Sequence, residues 1–322
     1  MRLAAKQFGA VARLTVLEAI RQPICLLLAG TAILFTALLP VLIMHQMGDS
    51  QKLVRDSALA THFLFGLLFA GYTACTAVQH EIKRGTVSAI LVKPIGRELF
   101  FLAKFTGVAA VLVLFSLGLT TATLLAARMS AELYVVDWWA GGALLGAIGL
   151  AIVVALFLNY FLRRPFVSTA FGLLLVLLVV ALGVSSFVDS SGKAVAWGAN
   201  VTWRLVPASL LVTFALLVLA GVAVTVATRL DTVPTLAICT VIFLLGLMTD
   251  YLFGRIAGEN KVAAILYAVL PNWQHFWLTD ALSNDGSIPW VYVVRAGGYA
   301  FFYLAGVLCL GILAFRRTEL KA

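Results

Sequence analysis

Eight apolar runs of roughly twenty residues dictate what this chain can fold into. They lie at about 24–44, 59–78, 100–127, 141–162, 166–185, 206–228, 235–253 and 290–315. About 20 apolar residues in helical form cross the hydrocarbon layer of a bilayer, and a helix meets its own backbone hydrogen-bonding needs there. A soluble fold of 322 residues, 62% of them hydrophobic, has too little interior to hide that surface. The expected fold class is all-α, a polytopic transmembrane helical bundle of about eight spans in a single domain, 1–322. No loop has room for a soluble domain, and no low-complexity linker interrupts the chain.

Charge sets the orientation. Fifteen of the 23 Lys and Arg fall on one side: the N-terminal segment, residues 83–104, Arg163-Arg164, Arg229 and the C-terminal tail. Eight fall on the other. Cytoplasmic loops collect Lys and Arg, so both termini are expected in the cytoplasm, as an even number of spans requires. The same bias, with anionic lipid as its counterpart, accounts for the net charge of +9, and nucleic acid is not an expected partner. Arg163-Arg164-Pro165 reads as a tight basic turn in which proline stops one helix and starts the next.

Residues 1–23 read as a helix lying in the membrane interface. At 100° per residue, Arg2, Lys6 and Arg13 cluster on one face, while Leu3, Phe8, Val11 and Leu14 occupy another. An ordinary basic flank that sets topology fits these residues equally well. Pro23 turns the chain into the bilayer. The segment is too long and too polar for the n-region of a signal peptide, and no small-residue cleavage site follows, so the start is expected to be retained. On the far side, residues 254–289 form the longest loop. Its Tyr267, Trp273, Phe276 and Trp277, with Trp290 nearby, suit headgroup level, as a short helix lying on the outer leaflet or partly re-entering it.

Several chemistries lack their residues. There is no GxxxxGK[ST] and no HExxH, and Ser185-Ser186 has no GxSxG context. No catalytic residue, cofactor or metal is expected. Cys25, Cys75, Cys239 and Cys309 sit in apolar runs and read as packing thiols. His45, His62, His80 and His275 read as interfacial polar residues, with an outer metal site of His45, His62 and His275 as the alternative. Span centres are nearly free of charge, which disfavours an ion-driven carrier. Asp250, Arg255 and Arg295 lie near span ends and can snorkel. Asn159, Thr73 and Thr76 suit helix–helix hydrogen bonds, and Gly142-xxx-Gly146 suits close packing within the chain.

The densest charge lies in Glu81–Arg97, an island between two apolar runs. Thr86 can cap a helix of about two turns, 86–92, that carries Val87, Ile90 and Leu91 on one side. Pro94 stops it, and Gly96-Arg97 permits the reversal into the next span. The plainest reading is a kinked positive-inside loop.

The order Glu81, Gly85, Thr86, Pro94, Arg97, Lys104 nevertheless resembles the E-x-x-x-G-T, P-x-x-R and Lys pattern around the coupling segment of type-2 export permeases, the membrane subunits of ATP-binding-cassette transporters. The basic segment 2–22 resembles their elbow helix. Leu270-Pro271-Asn272 with Phe276 resembles their L-P-N-x-x-x-F segment before the last span. The chain is similar in particular to the branch linked to copper-enzyme maturation. Such permeases have six spans, so an extra pair among the fourth to sixth runs, or a run that does not cross, is implied.

The resemblance implies a non-enzymatic permease subunit of an exporter in a prokaryotic plasma membrane. It implies two cassette ATPase partners docked on residues 79–99 and a second permease, identical or paralogous. Glu81 and Arg97 would fix the segment against its partner, and Gly85, Thr86 and Pro94 would shape it. An ion-coupled secondary carrier and a non-transporting membrane scaffold are the rival readings.

Overall fold

The computed structural model describes residues 2–43, 50–83, 96–131, 135–256, 258 and 260–316. Ten α-helices account for most of these residues: α1 (Arg2–Ile20), α2 (Pro23–Ile43), α3 (Ser50–Lys83), α4 (Arg97–Met129), α5 (Trp138–Leu162), α6 (Phe166–Ser185), α7 (Leu205–Ala227), α8 (Thr232–Leu247), α9 (Lys261–Val269) and α10 (Trp290–Arg316). The described residues contain no β-strand, only an isolated bridge between Val188 and Ala194.

Local chemistry places the helix ends where the sequence punctuates them. Pro23 and Pro165 stand at the starts of α2 and α6, where a missing N–H costs nothing. Asp137 caps α5, its Oδ1 accepting from Trp139 N at 2.9 Å and Ala140 N at 3.2 Å. Arg163 ends α5 in the left-handed region, φ 54°, and Asn159 Nδ2 donates to Arg164 O at 2.6 Å, which holds the basic turn shut. Thr73 and Thr76 donate to Phe69 O and Tyr72 O of their own helix, not to a neighbouring helix. Small hydroxyls in apolar helices commonly return to the i−4 carbonyl in this way.

Seven of the described helices are long and apolar enough to cross a membrane: α2 to α7, and α10. The seventh apolar run, 235–253, divides. Its first part is α8, of 16 residues, and its end is a π-helical turn, Asp250–Gly254. The segment 45–58, read from sequence as a mixed-charge loop, is helical from Ser50 onward, because Lys52 and Arg55 sit on the first turns of α3.

α3, α4 and α7 form the centre, with α2 against α3 and α4, α8 against α3 and α7, and α10 against α7 and the edge of α4. α5 and α6 form a hairpin that packs chiefly on itself, touching α2 and α4 at the margin. α1 lies along α4. At the crossing, a Cβ on Gly107 would come within 2.5 Å of Thr15 Cβ and 2.8 Å of Ala12 O, so glycine permits this approach. Thr15 and Ala19 are buried there, while Leu14 and Leu17 stay exposed on the outer face of α1.

Two sequence readings are corrected. Among the described residues nothing lies within 4 Å of where a Cβ on Gly142 or Gly146 would stand, so neither makes the close helix packing expected of it there. Cys25, Cys75 and Cys239 are buried, but Cys309 lies on the exposed face of α10.

Candidate functional site

Successive crossings bring α1, the ends of α3, α7 and α10, the start of α4 and the Arg163-Arg164 turn to one face, here called the basic face. The chain between α3 and α4 is the charged island of the sequence. Gly85, Thr86 and Pro94, with the expected helix 86–92, lie outside the described residues. Glu81 falls in the last turn of α3, and Arg97 opens α4. Gln79 on α3 and Arg97 to Lys104 on α4 stand at the two roots of the island.

The α4 root is tied to the end of α10. Arg97 Nη1 donates to Arg316 O at 3.2 Å, and Arg229 Nη2, from the turn after α7, donates to Ala314 O at 2.8 Å. The last four carbonyls of a helix lack intrahelical partners and carry its negative pole, so guanidinium donors suit them. Glu98 pairs with Arg316 beside them. About two turns deeper, Lys104 Nζ stands 3.7 Å from Glu18 Oε2 of α1 and 5.7 Å from the Phe100 ring centroid. The Lys104 side chain is 2% exposed and Glu18 49%, so the cation is buried under α1 and its carboxylate faces outward.

The α3 root is held differently. Gln79 Nε2 donates to Leu230 O, and Gln79 Oε1 accepts from Thr232 Oγ1 at 3.1 Å. One amide thus spans the α7–α8 turn. Further up, Tyr72 Oη donates to Gln22 Oε1 at 3.3 Å. A cavity of about 210 Å³ lies there between α1 and α3, lined by Thr15, Glu18, Gln22 and Thr76 among others. Both roots are therefore bonded to helices that do not border the island in sequence. Displacing the segment between them would load α1, the α7–α8 turn and α10 together.

Residues 20–178 match the family model of the ABC-2 family transporter proteins. The match covers just under half of the chain. It takes in α2, α3, the island, α4, α5 and most of α6, so the similarity to ABC-2 transporters includes both roots just described. It supports a type-2 permease and does not single out the copper-enzyme-maturation branch. No curated protein matches this chain.

The third motif that resembled an ABC-2 permease, Leu270-Pro271-Asn272 with Phe276, sits on the opposite side of the bundle. After the π turn the chain reverses, and α9 runs back along it: Tyr267 Oη donates to Asp250 Oδ1 at 3.0 Å. That carboxylate favours the protonated phenol and raises the Tyr267 pKa above its ordinary value. Asn272 then bridges the strands of this reversal. Its Nδ2 donates to Asp250 Oδ1 at 2.7 Å, its Oδ1 accepts from Gln274 N at 2.9 Å, and its N–H donates to Tyr299 Oη at 3.3 Å.

Trp273 and Phe276 follow, and both are buried in the bundle, which corrects the reading that placed them at headgroup level. Trp273 Nε1 donates to Ile242 O at 3.4 Å, and its ring lies edge-on to Phe63 with centroids 6.3 Å apart. Ile242 is ten residues into α8, about 15 Å along its axis at 1.5 Å per residue. The chain thus returns deep alongside α8, while Tyr267 and Trp290 stay partly exposed.

Sequence reading missed three buried polar residues on α3 and α4. Arg128 donates from Nε to Asp137 Oδ2 at 3.0 Å, from Nη2 to Val188 O at 2.6 Å and from Nη1 to Ser185 O, joining α4, α5 and the end of α6. Arg55 Nη1 donates to Leu282 O at 3.3 Å. His62 is buried between α3 and α4, with Nε2 3.0 Å from Ser116 Oγ and its ring edge-on to Phe115. It therefore does not sit at the interface. His275 faces Tyr299, and among the described residues no histidine cluster forms around His62; His45 lies outside them. Arg128 carried a legible signal: Asp137 follows it nine positions later, and both flank apolar runs.

Proposed function

We propose that this chain is the membrane-spanning permease subunit of an ATP-binding-cassette exporter, worked by separate ATPase subunits through residues 79–99. One observation carries the reading. The segment matched by the ABC-2 model contains an island whose two roots are bonded to α1, to the α7–α8 turn and to the end of α10. A push passed from an ATPase to either root would reach three other elements. Glu81, Gly85, Thr86, Pro94 and Arg97 remain the proposed contact and shaping residues.

Two such permeases, identical or paralogous, would enclose the path, each with an ATPase on its basic face. That face is cytoplasmic by the positive-inside rule, and the membrane is a prokaryotic plasma membrane. α2, α3, α4, α7, α8 with its π turn, and α10 form the central bundle, and the α5–α6 hairpin, which the family match also takes in, packs mainly on itself. A rival reading, a carrier driven by an ion gradient, draws on His62, an ionisable group inside the bundle.

Purification in mild detergent tests the proposal, followed by transport in vesicles. A cassette ATPase should co-purify, and Arg97→Glu should abolish either that association or ATP-driven transport while helix content is retained. Normal co-purification and normal transport in Arg97→Glu refute it. Transport that needs a proton or sodium gradient but no ATP favours the carrier.

A further inference from the structure

We infer that α1, α4 and α6 form a binding groove for an anionic phospholipid in the leaflet of the basic face, with the acyl chain in the groove and the phosphate against Arg163 and Arg164. The inference rests on membrane placement of these helices and not on the ATPase reading.

The groove is a trough of about 610 Å³. Leu17 and Ile20 of α1 form one wall, Leu117 of α4 another, and Gly172, Val176 and Val180 of α6 the third. Phe171 is its buried floor, while Val176, Val180 and Leu117 stay exposed along its rim, so the trough opens sideways toward lipid. Ser168, at the end nearest the basic turn, is the one lining residue with a side-chain polar group.

Length selects the occupant. From Ser168 to Val180, α6 rises about 18 Å at 1.5 Å per residue. One leaflet offers about 15 Å, half of the roughly 30 Å hydrocarbon layer. The trough is one leaflet deep, which suits an acyl chain, whereas a helix of a second copy would run the whole thickness.

Charge selects the headgroup. Arg163 and Arg164 immediately precede α6 at the Ser168 end, and both are exposed. Arg13 stands one turn before Leu17 on the same face of α1, also exposed. From Trp138 to Ser185 the chain carries no Asp or Glu, so nothing on the hairpin would attract the ammonium of a zwitterionic lipid. Guanidinium groups bind phosphate oxygens through paired N–H donors.

Native mass spectrometry of the delipidated full chain, with phosphatidylglycerol and phosphatidylcholine of identical acyl chains, tests this. Phosphatidylglycerol should be retained about ten-fold or more over phosphatidylcholine, as expected for two or three basic groups at an anionic headgroup. Arg163→Gln with Arg164→Gln should erase that preference, and both lie in an exposed turn. Gly172→Phe, at a position with no neighbour within 4 Å of a Cβ, should fill the trough and reduce retention of both lipids. Equal retention of the two lipids by the unaltered chain overturns the inference. So does a preference that survives the double Arg substitution. Gly172→Phe that dissociates a dimer and leaves lipid retention unchanged overturns it in favour of a second copy.

Discussion

Arg128 and Asp137 form a buried ion pair, Nε to Oδ2 at 3.0 Å, at the end of α4 remote from the basic face. Asp137 also caps α5, and the two remaining Arg128 nitrogens meet Ser185 O and Val188 O. The pair therefore joins the α5–α6 hairpin to the central bundle. Removing one partner of a buried pair strands the other charge and typically costs about 3–5 kcal/mol. Arg128→Gln should lower the melting temperature in detergent far more than Arg163→Gln, which removes an exposed charge. Similar small shifts for the two would show that the pair does not hold the hairpin.

The glycines on α8 and α5 should respond in opposite ways. A Cβ on Gly246 would meet the Trp273 ring and come within 2.5 Å of Pro271 O. Gly246→Ala should destabilise by about 1–3 kcal/mol, the usual cost of overpacking. Gly142→Ala and Gly146→Ala meet open space and should be neutral or stabilising by up to about 1 kcal/mol, from helix propensity. Thermal unfolding of the three variants decides it.

His62 and Ser116 form one buried polar unit. Ser116→Ala leaves the imidazole Nε2 without its hydrogen-bond partner and should cost about 1–3 kcal/mol. Ser116→Ala combined with His62→Leu should cost less than the sum of the single changes, since both polar groups then leave together. Additive losses in a double-mutant cycle would contradict the pairing. Transport by His62→Leu separates the carrier reading from the exporter reading, because only an ion-driven carrier depends on this group.

Gln79 offers a second test of transmission. Gln79→Leu removes both bonds to the α7–α8 turn and leaves Glu81–Arg97 unaltered. ATPase co-purification should persist while transport per ATP falls. Loss of the ATPase together with transport would instead place Gln79 in the docking contact.

Tyr267 gives a pH prediction of definite sign. Its folded-state pKa is raised, chiefly by donation to Asp250. The stability from that bond is complete below the ordinary phenol range, near 10, and disappears as pH rises through the raised value. Tyr267→Phe should remove this alkaline loss, measured as the difference in melting temperature between neutral and alkaline buffer. An identical alkaline decline in both proteins would exclude the bond as its source.

Helix positions were largely legible because they depend on hydrophobicity alone. The run at 166–185 coincides with α6, and 206–228 differs from α7 by one residue at each end. The run at 59–78 underestimates α3, since Arg55 and Lys83 extend a helix past its apolar window. The basic turn was legible because Pro165 leaves few options. Trp273 was misread because aromatic rings suit both headgroup level and a bundle interior, and only the reversal of α9 against the π turn decides between them.

The sequence by itself determined an all-helical membrane protein, its basic face, and a charged island, Glu81–Arg97, punctuated by Gly-Thr and Pro, because these follow from local composition and backbone chemistry. Tertiary structure decided what the island's roots are bonded to. Gln79 meets Leu230 across 151 residues and Arg97 meets Arg316 across 219. Contacts at such separation depend on how helices pack side by side, and an apolar run records only that a helix is buried, not against which neighbour.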